Sequence, residues 1–123
     1  LTLIACGIMT SRCIEAADIV KKKYKIDVRV VNMSSIKPID KKLIIQSAKK
    51  TKLIISCEDA NIIGGLGGAI SEVLTDYYPT KLIRIGINDQ FGESGDPEQL
   101  IKKYKIDTQT IIKKILKEKK GEE

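Results

Sequence analysis

The 123-residue sequence contains no histidine and no tryptophan, and aromatic residues make up only 4% of it. Without histidine, the commonest general base and the usual partner of a serine or cysteine nucleophile are missing. The same absence removes a frequent metal ligand, so we expect no metal site. The net charge is +6, but few aromatics and only three arginines leave little for stacking on bases or for bidentate contacts. We therefore expect no nucleic-acid binding.

Long apolar runs are also missing, and no positively charged leader is recognisable, so we expect no membrane contact. The three cysteines, Cys6, Cys13 and Cys57, are odd in number, lie in apolar surroundings and show no paired spacing. This is typical of reduced, buried thiols in a cytoplasmic protein. A strand-like run begins directly at Leu1. We interpret residues 1–123 as a single domain, excised from a longer chain or complex.

Strand-like and helical patterns alternate along the chain. Four apolar runs predict strands over Leu1–Gly7, Val28–Met33, Lys52–Cys57 and Leu82–Ile87. Between them, apolar residues at helical spacing predict helices, with Tyr24 and Tyr77 on the core-facing sides. The residues expected to begin helices are Thr10 or Ser11, Asp40, Asp96 for a short helix to about Tyr104, and Asp107.

This alternation predicts a three-layer α/β/α fold with a mainly parallel sheet of four to five strands. In such sheets, sites form beyond the carboxyl ends of the strands, where the strand order reverses. The loops expected at that edge are Gly7–Ser11, Ser34–Asp40, Glu58–Gly68 and Asn88–Gly95. Any function of the domain should face that side.

The stretch Glu58–Gly68 holds four of the nine glycines. It begins like the dinucleotide fingerprint G-x-G-x-x-G, but Ile70 stands where the third glycine belongs and six residues separate the strand from the first glycine. A helix start that closely approaches another chain or a small anion is the preferred interpretation. The candidate interface or anion-binding residues are Glu58, Asn61, Gly64, Gly65, Gly67 and Gly68.

The acidic residues of these loops do not form an obvious catalytic pair. Glu58 and Asp59 are adjacent on an extended segment and should point to opposite faces, so carboxylates that satisfy loop N–H groups are the favoured interpretation. Ser94, next to Glu93, has no histidine to activate it. The residues themselves favour a binding or interface domain over a self-contained enzyme, with no catalytic, cofactor-binding or metal-binding residue assigned.

Three ordered segments closely resemble the C-terminal domain of transketolases, and together they span essentially the whole chain. They are Ile36-Lys37-Pro38-Ile39-Asp40, then Glu58-Asp59-x-Asn61 with Gly64-Gly65-Leu66-Gly67, and Asp89-x-Phe91-Gly92-x-Ser94-Gly95. Related domains end 1-deoxyxylulose-5-phosphate synthases and the beta subunits of 2-oxo acid dehydrogenases. The last segment, followed by Tyr104-Lys105-Ile106, favours transketolase. Ala60 departs from the pattern, since many relatives have histidine there.

The resemblance implies part of a cytoplasmic thiamine-diphosphate enzyme of the pentose phosphate pathway, which transfers a two-carbon ketol unit between sugar phosphates with magnesium holding the diphosphate. It implies that the cofactor is bound by upstream domains or an upstream subunit, and that this domain helps to hold a homodimer. The G-D-G…N motif of the cofactor site is absent, so the chain alone is expected to be inactive. The alternatives are the C-terminal domain of a 1-deoxyxylulose-5-phosphate synthase, or a regulatory domain that binds an anion or nucleotide near Glu58–Gly68.

Overall fold

The computed structural model describes residues 1–34, 38–61, 65–87 and 107–122. Strands and helices alternate from the amino terminus, as the sequence predicts. The elements are β1 (Thr2–Ala5), α1 (Met9–Tyr24), β2 (Arg29–Asn32), α2 (Lys41–Thr51), β3 (Leu53–Asn61), α3 (Leu66–Tyr77), β4 (Lys81–Ile87) and α4 (Thr108–Glu122). None of the helices within these ranges is long and apolar enough to span a membrane.

The four strands form a parallel sheet in the order β2-β1-β3-β4. Ala5 at the end of β1 is in register with Asn32 of β2 and with Cys57 of β3. The strand order reverses between β1 and β3, so their carboxyl ends flank the crevice in which ligands of such folds bind. The prediction of a parallel α/β sheet is confirmed.

Helices cover both faces of the sheet because side chains of successive strand residues point to opposite sides. On one face, Leu3 and Ile55 pack with buried residues of α1 and α4 such as Cys13 and Ile111. On the other face, Ile4 and Ile54 pack with α2 and α3. These central residues are fully buried, which accounts for the continuous apolar runs that predicted β1 and β3.

Two of the predicted helix starts are confirmed. Asp40 caps α2, its Oδ1 accepting a hydrogen bond from Leu43 N at 3.1 Å. Asp107 does the same for α4, accepting from Thr110 N at 3.3 Å. Both carboxylates lie three residues before the donor, which is the spacing that local sequence reveals.

The prediction that Thr10 or Ser11 caps α1 is wrong. The helix already begins at Met9 after Ile8, without a side-chain cap. The Ser11 hydroxyl instead donates to Ile8 O at 2.9 Å, and the Thr10 hydroxyl donates to Asn32 Oδ1 at 3.0 Å. Thr10 therefore ties the start of α1 to the end of β2.

The expected core positions of Tyr24 and Tyr77 and the expected end of β3 at Cys57 are wrong. Tyr24 and Tyr77, the last residues of α1 and α3, are 42% and 57% exposed rather than packed in the core. Strand β3 continues four residues beyond Cys57, with an irregularity in its pairing to β4 between Cys57 and Asn61. The predicted loop Asn88–Gly95 and the helix from Asp96 to about Tyr104 lie outside the described residues.

Candidate functional site

The extension of β3 places two acidic residues at the point where the strand order reverses. Glu58 points to the face covered by α2 and α3 and is only 1% exposed, whereas Asp59 is exposed. Asp59 lies beside the end of β1: a Cβ added to Gly7, which has φ +60°, would be 3.7 Å from Asp59 Oδ1. The expectation that the two carboxylates diverge is confirmed, so they do not form an acid/base pair.

The buried Glu58 carboxylate caps α3 from a different element. Its Oε1 accepts a hydrogen bond from Leu66 N at 3.0 Å, and its Oε2 accepts one from Gly67 N at 2.8 Å. These N–H groups belong to the first turn of α3, where helical partners are missing and the helix dipole favours negative charge. Glu58 is thus a carboxylate that satisfies backbone N–H groups, the role favoured by the sequence.

The glycines at the start of α3 have different structural roles. A Cβ on Gly67 would lie 2.7 Å from Arg84 Cδ and 3.0 Å from Ser56 Oγ, so the absence of a side chain lets the helix start approach β3 and β4 closely. A Cβ on Gly68 would meet nothing within 4 Å. Gly65 precedes the helix in an extended conformation. Close approach to the domain's own sheet therefore explains Gly67.

The structure brings Glu58, Gly65, Gly67 and Gly68 together at the start of α3. Asn61 is the last residue of β3, and its side chain lies outside the described part of the structure. Gly64 also lies outside the described residues. A role of this group in an interface or in anion binding stays a prediction.

Ser56 and Arg84 complete this region, and sequence reasoning missed both. Ser56 is fully buried beneath Gly67, and its hydroxyl makes no hydrogen bond with the described residues. A serine inside the apolar run Leu53–Cys57 was the available signal, since a buried polar residue in a strand marks a special contact. Arg84 gave none, because its aliphatic carbons rather than its charge contact the helix start.

The cysteines offer no activated nucleophile. Cys6 is half-buried at the end of β1, and its pKa is raised by burial and, to a lesser extent, by the negative charges of Glu58 and Asp59. The side chains of Cys13 and Cys57 form a hydrogen bond on the opposite face of the sheet, and this contact together with burial raises the pKa of Cys57 well above its ordinary value. A thiol with a raised pKa stays protonated and unreactive at neutral pH.

The residues that the structure describes at this edge do not fit a diphosphate or its metal ion. A diphosphate at the start of α3 would compete with Glu58 for the N–H groups of Leu66 and Gly67, and would bring two anions together in a buried place. Within residues 1–34, 38–61, 65–87 and 107–122, no cluster of three or more histidine, cysteine, aspartate or glutamate residues is placed to hold a metal ion.

Comparison with known proteins gives one consistent family. The family model described as "Transketolase, C-terminal domain" matches residues 1–111. A protein of Methanocaldococcus jannaschii described as a transketolase C-terminal section is 44% identical over 124 residues, covering 99% of this chain and 38% of the relative. A 1-deoxy-D-xylulose-5-phosphate synthase of Caldanaerobacter subterraneus subsp. tengcongensis is 42% identical over 119 residues, covering 94% of this chain and 19% of the synthase.

Among solved structures, one described as "Split gene transketolase, inactive beta4 tetramer" superimposes with a TM-score of 0.88 at 40% identity. The superposition covers 94% of this chain and 38% of that one. The chain thus spans about two fifths of the Methanocaldococcus relative and of the split-gene chain, and about one fifth of the synthase. Its sequence and its fold agree on the assignment, and the chain belongs to the transketolase C-terminal domain family.

Proposed function

We propose that this chain is the structural and dimerisation domain of a transketolase, which transfers a two-carbon ketol unit between sugar phosphates. Thiamine diphosphate and magnesium act in the complete enzyme and are bound by upstream domains or an upstream subunit. The observation that carries the proposal is that the first N–H groups of α3 are not available to a ligand. Glu58 already occupies the N–H groups that an open site of this fold would offer to a phosphate.

The lengths of the relatives support a partner role. Most of the split-gene transketolase chain, and most of the Methanocaldococcus relative, lie outside the part that this chain matches. The split-gene protein is named as an inactive tetramer of one subunit type. By analogy, this domain requires upstream partners for activity. We further propose that the complete enzyme is a homodimer.

The first half of α1 presents a surface suited to such a partner. Ile8 and Ile14 are 51% and 56% exposed, and no lysine lies between Met9 and Val20. Arg12, Glu15 and Asp18 lie along the same stretch, so exposed aliphatic side chains stand there among charges of both signs, a mixture that protein interfaces also contain. This surface adjoins the carboxyl edge of the sheet, where Gly7 and Asp59 meet.

The C-terminal domain of a 1-deoxyxylulose-5-phosphate synthase is the second candidate. The 42% identity to the synthase of Caldanaerobacter, over 94% of this chain, favours it nearly as strongly as the transketolase relative favours the first. The two functions share this fold and differ in the chemistry of the upstream domains. Assays of the complete enzyme for both activities would separate them.

The proposal is tested by comparing the chain alone with the chain joined to its upstream domains. Alone, it should give no saturable isotherm with thiamine diphosphate and no ketol transfer; with the upstream domains it should support transfer between sugar phosphates. Turnover or saturable cofactor binding by the chain alone would overturn the proposal. The double substitution Ile8→Glu and Ile14→Glu should weaken the complete assembly in sedimentation, whereas Thr75→Glu on the exposed side of α3 should not.

A further inference from the structure

Positive charge collects at the amino-terminal edge of the sheet, opposite the edge described above. In a parallel α/β fold, the helices end at the edge where the strands begin, and α1, α2 and α4 all end in lysines. Lys25 and Lys52 follow α1 and α2 in the left-handed conformation. The lysines described at this edge are Lys21, Lys22, Lys23, Lys25, Lys49, Lys50, Lys52, Lys81, Lys117, Lys119 and Lys120.

A groove of about 1030 Å³ lies at this edge, between the ends of α1 and α4. Four lysines line it: Lys25 after α1, and Lys117, Lys119 and Lys120 near the end of α4. Ile26 and Leu116, which are both half-buried, give the groove an apolar part. It therefore combines several ammonium groups with a small hydrophobic surface.

The carboxylates that the structure describes near the groove are Asp27 and Glu118, and both are paired with lysines outside the groove. Asp27, the one acidic residue among the described lining residues, is hydrogen-bonded by Lys21, and this contact lowers the pKa of the Asp27 carboxyl. Glu118 is paired with Lys81 at 3.0 Å. Within the described part of the chain, Lys117 and Lys120 form no ion pair. Among the described residues, the charges of Lys117 and Lys120 are thus not offset by an ion pair, whereas Lys119 interacts with Asp27.

Helix dipoles explain only part of this charge. Each helix C-terminus carries roughly −0.5 of an elementary charge, so the two helix ends and Asp27 together bring about −2 against the four ammonium groups of the groove. A substantial positive potential remains, and several lysines around one concave surface attract phosphate as point charges without demanding one orientation.

We propose that this groove binds a compact polyphosphate anion, free or carried by a nucleotide. Several ammonium groups across two helix ends match a chain of linked phosphates better than a single phosphate, which would reach only some of them. The groove also has room for an attached organic group against Ile26 and Leu116. The site lies at the opposite edge of the sheet from Glu58, and the proposal does not depend on the proposed transketolase function.

The test is a calorimetric titration of the 123-residue chain with inorganic tripolyphosphate at about 0.1 M salt, where charges more than about 10 Å away are largely screened. We expect saturable binding that weakens as the salt concentration rises. The double reversal Lys117→Glu and Lys120→Glu should weaken binding at least tenfold. The matched control, Lys49→Glu and Lys50→Glu at the end of α2, makes the same change in net charge outside the groove and should alter affinity by less than about twofold.

Absence of saturable tripolyphosphate binding would overturn the proposal. So would equal losses in the two double variants, since the net charge of the chain would then explain the binding. A parallel titration with adenosine triphosphate distinguishes the source of the anion. Tighter binding of the nucleotide would identify a nucleotide site that uses the apolar part, and equal or weaker binding would identify a site for the inorganic chain. Circular dichroism of each variant checks that the surface substitutions leave the fold intact.

Discussion

Two of the carboxylates that cap helices in this domain, Asp40 and Glu58, do so in contrasting ways. Asp40 caps α2 from the adjacent residue, is exposed, and accepts one hydrogen bond from Leu43 N. Glu58 caps α3 from strand β3, eight and nine residues before its donors, is 1% exposed, and accepts two hydrogen bonds. The first cap is a local contact within the start of one helix, whereas the second is a contact between a strand and a helix that pack against each other.

This contrast shows what each cap contributes. When Asp40 caps α2, the hydrogen bond between its carboxylate and Leu43 N–H replaces hydrogen bonds of both groups with water. If the carboxylate is removed, the Leu43 N–H can bond to water again. The Glu58 cap fixes where α3 begins relative to β3, and its loss would leave two N–H groups without a partner in a dry place. A surface cap thus tunes one helix, while a buried cap holds two elements together.

The largest expected effect follows from removing the buried cap. Glu58→Ala should lower the free energy of unfolding by about 3 kcal/mol, because two hydrogen bonds to a charged group are lost and the donors stay buried. Asp40→Ala, the matched surface variant, should cost about 1 kcal/mol. Urea denaturation followed by circular dichroism measures both. Equal losses would show that burial of the carboxylate adds nothing to capping, and would remove the contrast.

The same contrast separates what the sequence could predict from what it could not. The cap at Asp40, the alternating elements and the parallel sheet depend on local spacing and apolar periodicity, and all three are confirmed. The divergence of Glu58 and Asp59 also follows from the period of a strand. Each of these features can be read from a few neighbouring residues.

The failures share a different cause. Extension of β3 past Cys57 depends on pairing with β4, and the exposure of Tyr24 and Tyr77 depends on how the last turns of α1 and α3 pack. The contact of Gly67 with Ser56 and Arg84 joins three elements. A glycine cluster indicates that some close approach occurs, but only tertiary packing decides which glycine needs it and which partner it meets.

A smaller effect should separate the two adjacent glycines at the start of α3. Gly67→Ala should cost about 2 kcal/mol, because a Cβ 3.0 Å from the buried Ser56 Oγ and closer still to Arg84 forces the helix start outward. Gly68→Ala adds its methyl group to open space and should stabilise the domain by about 0.5 kcal/mol through better helix propensity. Thermal denaturation of both variants measures the difference.

The Arg84 contact can be tested within the same series. Arg84→Ala should recover part of the loss in Gly67→Ala, since the Arg84 side chain is flexible, whereas the contact with Ser56 remains. A Gly67→Ala domain as stable as Gly68→Ala would show that the helix start yields without cost. Close packing against β3 and β4 would then not explain the glycine at position 67, and this result would favour an interface role for Gly67.

The smallest effect uses Cys6 as a reporter of charge. The pKa of its thiol is raised by burial first, then by Glu58, then by Asp59. Alkylation proceeds through the thiolate, so a raised pKa slows the reaction at a given pH, and a variant that lowers the pKa should react faster at pH 8. Glu58→Gln should therefore accelerate alkylation of Cys6 by iodoacetamide more than Asp59→Asn does. Asp40→Asn should leave the rate unchanged.

Mass spectrometry of the Cys6 peptide follows this reaction separately from the fully buried Cys13 and Cys57. In each variant, the alkylation rate of Cys6 is compared with those of Cys13 and Cys57, because a general loosening of the domain would speed the alkylation of all three thiols. Acceleration confined to Cys6 would indicate that the negative charge of Glu58 reaches the end of β1 as well as the start of α3. A larger effect of Asp59→Asn would show that the exposed Asp59 carboxylate raises the pKa of Cys6 more than Glu58 does. The charge of Glu58 would then act mainly on the start of α3.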